Sequence, residues 1–148
     1  MAPDSSMSIR SKSPERSTAL TVLYSASPFD LDTLQEDLAS GLQLSALFTE
    51  FPNNPLLGSV GLERLQKLST DNDLLFVVDD TVATSVNTEL ISYCDVVCTS
   101  LTIMFSGSCN VMGGSIALNP QSRVFSIVKR LLKSQFIDTY VPSEQHGL

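Results

Sequence analysis

From residue 18 onward, short apolar runs alternate with stretches in which leucine returns every three or four positions. The first pattern suits strands and the second suits one face of a helix. Residues 19–24 predict a strand. Residues 31–39 predict a helix carrying Leu31, Leu34 and Leu38 on one side, with Asp30 placed to cap it and Gly41 placed to end it. Residues 42–49 predict a second strand, followed by a Pro- and Asn-rich turn at 52–55. A second helix over 62–69 gathers Leu62, Leu65 and Leu68. Residues 74–78 are apolar at every position and partly β-branched, as expected of a parallel strand covered on both faces. Residues 95–101 and 115–118 predict two more strands. An amphipathic helix over 123–136 follows, striped by Val124, Ile127, Val128, Leu131 and Leu132. Strands and helices in alternation predict an α/β domain: a mostly parallel sheet with helices on both faces.

Composition narrows the class of function. The chain has 148 residues, 43% hydrophobic and 17% charged, enough for one domain with a real core. Residues 1–17 are rich in Ser and Pro and read as a disordered tail; 18–140 form the domain, and 141–148 a short polar tail. A net charge of −7 argues against nucleic acid and against an anionic membrane surface as partners. No apolar run approaches the roughly 18–20 residues that span a bilayer. Arg10, Lys12 and Arg16 lie among Asp4 and Glu15, which a transit peptide would lack. Cys94, Cys98 and Cys109 are odd in number and show no CxxC spacing, so they read as buried thiols in a reducing compartment, and the cytoplasm is expected. No metal site is expected either. Asp71-Asn72-Asp73 lacks the further ligands of a calcium loop, and His146, the only histidine, lies in the tail.

In an open parallel sheet, ligands bind beyond the carboxyl ends of the strands. Three polar segments fall there: Glu50 to Asn54, Asp79-Asp80-Thr81, and Ser100 to Thr102. Each alone is consistent with ordinary strand-end turns, in which acids cap and hydroxyls bond to backbone. Their order and spacing are more specific. Glu50-Phe51-Pro52-Asn53-Asn54-Pro55, then Val77-Val78-Asp79-Asp80-Thr81, then Ser100-Leu101-Thr102-Ile103-Met104, continuing through Gly113-Gly114, resembles the cysteine/methionine-metabolism family of pyridoxal-phosphate (PLP) enzymes, cystathionine γ-synthase-like members above all. The resemblance implies part of the large domain of a fold-type I PLP-dependent transferase. It implies that Asp79 pairs with the pyridine nitrogen of PLP, keeping the ring protonated and electron-accepting. Asn54 would lie near the ring hydroxyl, and Ser100 and Thr102 would hold the phosphate. Thr81 lies near the ring without an assigned role.

The family pattern places its Schiff-base lysine directly after the threonine matched by Thr102, and here that residue is Ile103. Isoleucine has no amine to bond the cofactor or to move protons. Loss of a positioned acid–base group alone costs ~10²–10⁴ in rate. Lys129 and Lys133, on the last predicted helix, are not expected to substitute. The upstream phosphate loop and ring-stacking aromatic, and the downstream small domain with its carboxylate-gripping arginine, are expected to be absent, because the chain resembles the middle of the family's polypeptide. Three functions follow from the resemblance. The first is a degenerate transsulfuration enzyme (γ-replacement or elimination on activated homoserine or sulfur amino acids), weakly active or inactive by itself. The second is a non-catalytic partner or modulator of a full-length paralogue, as a homo- or hetero-oligomer. The third is a fragment of an active enzyme arising from a gene-model error.

Overall fold

The computed structural model describes residues 22–25, 30–54, 56–103, 105–107, 110 and 112–137, with side-chain surroundings described from Leu31 onward. The two expected tails, Cys109 and His146 lie outside the described residues. The chain forms β1 (Val22–Ser25), α1 (Asp30–Ala39), β2 (Ala46–Glu50), α2 (Leu62–Asp71), β3 (Leu75–Asp79), β4 (Val96–Ser100), β5 (Gly114–Leu118) and α3 (Phe125–Gln135). The five strands lie in sequence order in one sheet. The first four are mutually parallel, and β5 is antiparallel to β4. This is the α/β, mostly parallel arrangement that the alternating pattern predicts.

Helix ends are set by local chemistry. At the end of α1, Gly41 takes φ +102° and donates to Leu38 O at 3.1 Å, while Leu42 N–H reaches Asp37 O at 2.9 Å. These paired bonds close the helix around a left-handed residue, which glycine adopts at little cost. At the end of α2, Asn72 caps twice, its backbone N–H and its Nδ2 both donating to Leu68 O. Asp73, at φ +58°, then turns the chain, and Leu74 N–H returns to Ser69 O at 2.8 Å. That turn explains why β2 starts at Ala46 rather than at residue 42. The amide of Leu74 is committed to the end of α2, so β3 offers nothing for residues 42–44 to pair with.

The helical spacing in the sequence becomes burial. Leu31, Leu34, Leu62, Leu65 and Leu68 pack on Leu47, Phe76, Val78 and Val97, all at most 9% exposed. The crossover from β3 to β4 contains no helix; its turns are pinned to the same core by Leu90 and Cys94. With strand side chains alternating, one face of β2, β3 and β4 (Leu47, Thr49, Phe76, Val78, Val97) is buried. Phe48, Val77 and Cys98 on the other face are half-buried.

The amino ends of the strands are tied by Asp95. Its Oδ2 accepts Phe76 N–H at 2.8 Å, its Oδ1 accepts the Ser122 hydroxyl at 2.5 Å, and its carbonyl accepts Asn119 N–H at 2.9 Å. Arg123 adds an ion pair to Asp73 and a bond to Leu74 O at 2.9 Å. Beyond it, α3 buries no residue, and Ile127 and Leu131 on its apolar stripe stay 51% exposed.

Candidate functional site

Parallel register brings three strand ends level. Glu50 lies beside Asp79, and Asp79 beside Cys98, so all three share the half-buried face of the sheet. Two residues after Cys98, Ser100 occupies the same face at the end of β4, opposite Gly114 of β5. Asp79 and Ser100 are therefore brought together at the carboxyl ends of adjacent strands.

What joins them is Thr81. Its backbone N–H donates to Asp79 Oδ1 at 2.9 Å, and its Oγ1 accepts the backbone N–H of Ser100 at 2.8 Å. One threonine thus fixes the carboxylate and the end of the neighbouring strand in a single network. Sequence reasoning assigns it no role, although a hydroxyl two residues past the acid is well spaced for this Asx-type turn.

Asp80 goes the other way. Consecutive side chains on extended backbone point to opposite faces, so Asp80 turns toward the core, where it is 1% exposed and accepts a hydrogen bond from the Thr99 hydroxyl. Its backbone extends the ladder, N–H to Cys98 O at 3.0 Å and O from Thr84 N–H at 2.7 Å. A buried carboxylate without a partner would be costly. Asp80 therefore locks the turn that aims Asp79.

The other expected residues are arranged differently. Asn54 is exposed, and its backbone N–H donates to Glu50 Oε2 at 3.1 Å, in a loop that Asn53 shapes by accepting Gly58 N–H on Oδ1 at 2.7 Å. Thr102 uses its hydroxyl within the loop between β4 and β5: Oγ1 accepts Gly113 N–H at 3.0 Å and faces Gly113 O at 3.5 Å. Ile103 follows it, 53% exposed. Of the lysines, Lys67 pairs with Asp71 and Lys129 lies 5.0 Å from the centroid of the Phe125 ring. Arg64 binds Asp32 and Gln35 on α1, and Arg123 holds the end of α2. No cluster of metal-ligating side chains occurs among the described residues, and no described helix is long and apolar enough to cross a membrane.

Cys98 is a site neighbour that sequence reasoning leaves out. Burial raises its thiol pKa, and the negative charges of Asp79 and Asp80 add to the rise. A thiol held protonated is a poor nucleophile. The site therefore offers a carboxylate, a strand-end hydroxyl and a neutral thiol.

These positions coincide with a known pattern. The Cys/Met metabolism PLP-dependent enzyme family matches residues 16–134. The chain belongs to that family. Cystathionine gamma-synthase of Neurospora crassa is 44% identical over 115 residues, 78% of this chain and 18% of that protein. The alanine racemase ungC of Aspergillus violaceofuscus is 45% identical over 92 residues, 61% of this chain and 16% of its own length. Among solved structures, the methionine gamma lyase CalE6 from Micromonospora echinospora superposes with a TM-score of 0.59 at 22% identity, over 74% of this chain and 29% of that one. The fold is therefore part of the large domain of the PLP-dependent enzymes, and this chain spans less than a fifth of the length of the two named relatives.

PLP is the cofactor of this family. The residues present fit its non-covalent contacts in part. Asp79 is half-buried and fixed on one oxygen by Thr81, and Ser100 is level with it on the same face. They do not fit covalent capture, since Ile103 carries no amine.

Proposed function

We propose that this chain is a degenerate member of the cystathionine γ-synthase-like group. In this reading it keeps a partial PLP site and has little or no transsulfuration activity by itself. The observation that carries the reading is Ile103 at the lysine position, beside an otherwise built strand-end network of Asp79, Thr81 and Ser100. In the family, PLP supplies an electron sink for carbanions formed on amino-acid substrates. Here Asp79 would hold a proton on the pyridine nitrogen, while Ser100 and Thr102 would bond the phosphate and Asn54 the ring hydroxyl. No described side chain among them is an amine that could shuttle a proton. Cys98, the nearest further acid, is held neutral. The reaction branch stays open, because similar relatives are named for both a synthase and a racemase.

The test is to incubate the purified chain with PLP, treat with borohydride, and map adducts by mass spectrometry alongside an equilibrium-dialysis measurement. The expected result is saturable PLP binding weakened by Asp79→Ala, no specific adduct on a native lysine, and a new adduct at position 103 in Ile103→Lys. A stoichiometric adduct at a native lysine would overturn the loss of covalent capture. Absence of saturable binding would overturn the retained site.

A second reading, docking onto a full-length relative, is supported by β5. Its residues 114–117 are all exposed at the sheet edge, and such an edge favours pairing with another chain. Co-expression followed by size-exclusion chromatography tests it; two proteins that elute independently would count against it.

A further inference from the structure

Charge is divided sharply along this chain. Residues 96–137 contain no acid and carry Arg123, Lys129, Arg130 and Lys133, whereas α1 holds Asp30, Asp32, Glu36 and Asp37 without a cation. The basic segment ends in α3, an eleven-residue helix that buries nothing and leaves Ile127 and Leu131 half-exposed between its cations. A helix with this combination of features seeks an acidic, partly apolar cover.

The same molecule displays such a cover. Just past α1 lies a concavity of about 370 Å³ lined by Leu38, Leu42, Leu44 and Leu74, together with Asn72. Leu42 is 41% exposed there. The lining residues are flanked in sequence by acids, Asp37 before Leu38, Asp71 before Asn72, and Asp73 between Asn72 and Leu74. Glu36 is exposed on the adjoining turn of α1. The concavity is thus apolar at its floor and acidic in its surroundings. Its size suits one or two aliphatic side chains, each of which occupies on the order of 100 Å³.

We propose that α3 is a docking element for this concavity on a second copy of the same chain. Arg123 links the two surfaces within one copy: it binds Leu74 O and pairs with Asp73, two residues before α3 begins. The helix therefore sets out from the edge of the concavity. A two-fold pair then satisfies both copies at once, each α3 covering the partner's concavity, and the contact closes without forming a chain of molecules. Ile127 and Leu131 supply the apolar contact, and Lys129, Arg130 and Lys133 face the acidic surroundings. Such an arrangement leaves Asp79 and Ser100, at the other end of the strands, uncovered.

The experiment is sedimentation velocity on the full chain over a range of concentration and salt. The expected result is a monomer–dimer equilibrium that weakens as salt rises, because the charged part of the contact is screened. The triple variant Lys129→Glu, Arg130→Glu, Lys133→Glu and the double variant Glu36→Lys, Asp37→Lys should each dimerise at least about tenfold more weakly. Mixed in equal amounts, the two variants should form a heterodimer, because each reversed helix then meets a reversed concavity. Restored association requires both variants to be folded, so misfolding cannot imitate it. A wild-type chain that stays monomeric at low salt would overturn the proposal. So would a dimer indifferent to both reversals, two folded variants (by circular dichroism) that fail to associate when mixed, or a wild-type chain that binds phosphatidylserine vesicles through α3 and does not self-associate.

Discussion

Burial pushes the thiol of Cys94 from 9.0 up to about 12, and the Asp95 carboxylate beside it adds to the rise. The folded chain therefore keeps a proton through a window in which the unfolded chain has lost it. By linkage, this contribution to stability is complete below pH 9 and is lost as pH climbs toward 12. Urea midpoints should accordingly fall from about pH 8 to about pH 10.5, and Cys94→Ala should flatten that fall; an unchanged slope would show that the thiol titrates alike in both states. Thr81 allows a second prediction at this scale. Replacing it with Val keeps the shape but removes the acceptor of Ser100 N–H. The cost should be about 1–2 kcal/mol by urea denaturation, with weaker PLP binding by dialysis. A Thr81→Val protein as stable as the parent would mean that Ser100 N–H finds another acceptor. Asp79, Ser100 and the Ile103 substitution are legible in the sequence because they belong to an ordered motif. The roles of Thr81 and Asp80 are not, since both depend on which carboxylate faces the core. Period-two alternation alone requires the two acids to part. Only the pairing of β3 with β4 reveals that Thr99 receives Asp80.

At the scale of elements, spacing predicts the helices well where a covered face awaits them. Leu62, Leu65 and Leu68 recur at helical intervals and are all buried. The stripe of α3 is equally regular yet covers nothing, because periodicity records which face a helix would bury and says nothing of whether a partner is present. The strands are shorter than the apolar runs that predict them. Residues 42–44 are apolar enough to extend β2, but Gly41 has only just released the chain and the Asp73 turn withholds a partner. The crossover after β3 is likewise held by two isolated core anchors, Leu90 and Cys94, and no period announces it. This contrast between helices is measurable. Leu65 is 2% exposed and central to the core, so Leu65→Ala should cost about 2–5 kcal/mol. Leu131→Ala, at a residue 51% exposed, should cost less than about 1 kcal/mol when measured at high salt and low concentration. Equal losses from the two variants would mean that α3 is packed within a single copy.

Across the whole molecule, order should decline from the centre of the sheet to its β5 side. β2 and β3 are paired on both sides, and their buried face is roofed by α1, α2 and the β3–β4 crossover. β5 has one neighbour and an exposed surface, and α3 adds only weak cover beside it. Opening β5 and α3 therefore exposes little apolar area that is not already wet, whereas opening β3 exposes Phe76 and Val78, at 1% and 0%. Hydrogen exchange followed by mass spectrometry should give the slowest amides in β2 and β3, intermediate rates in β4, and fast exchange in α3 and along β5 wherever its amides do not bond to β4. If α3 docks on a second copy, its protection should rise with protein concentration while that of β3 stays constant, because only α3 gains a cover on association. Slow exchange of α3 in dilute, high-salt solution would instead require a cover from within the same chain. That outcome would place the basic helix in the fold's own core and remove the reason for a partner.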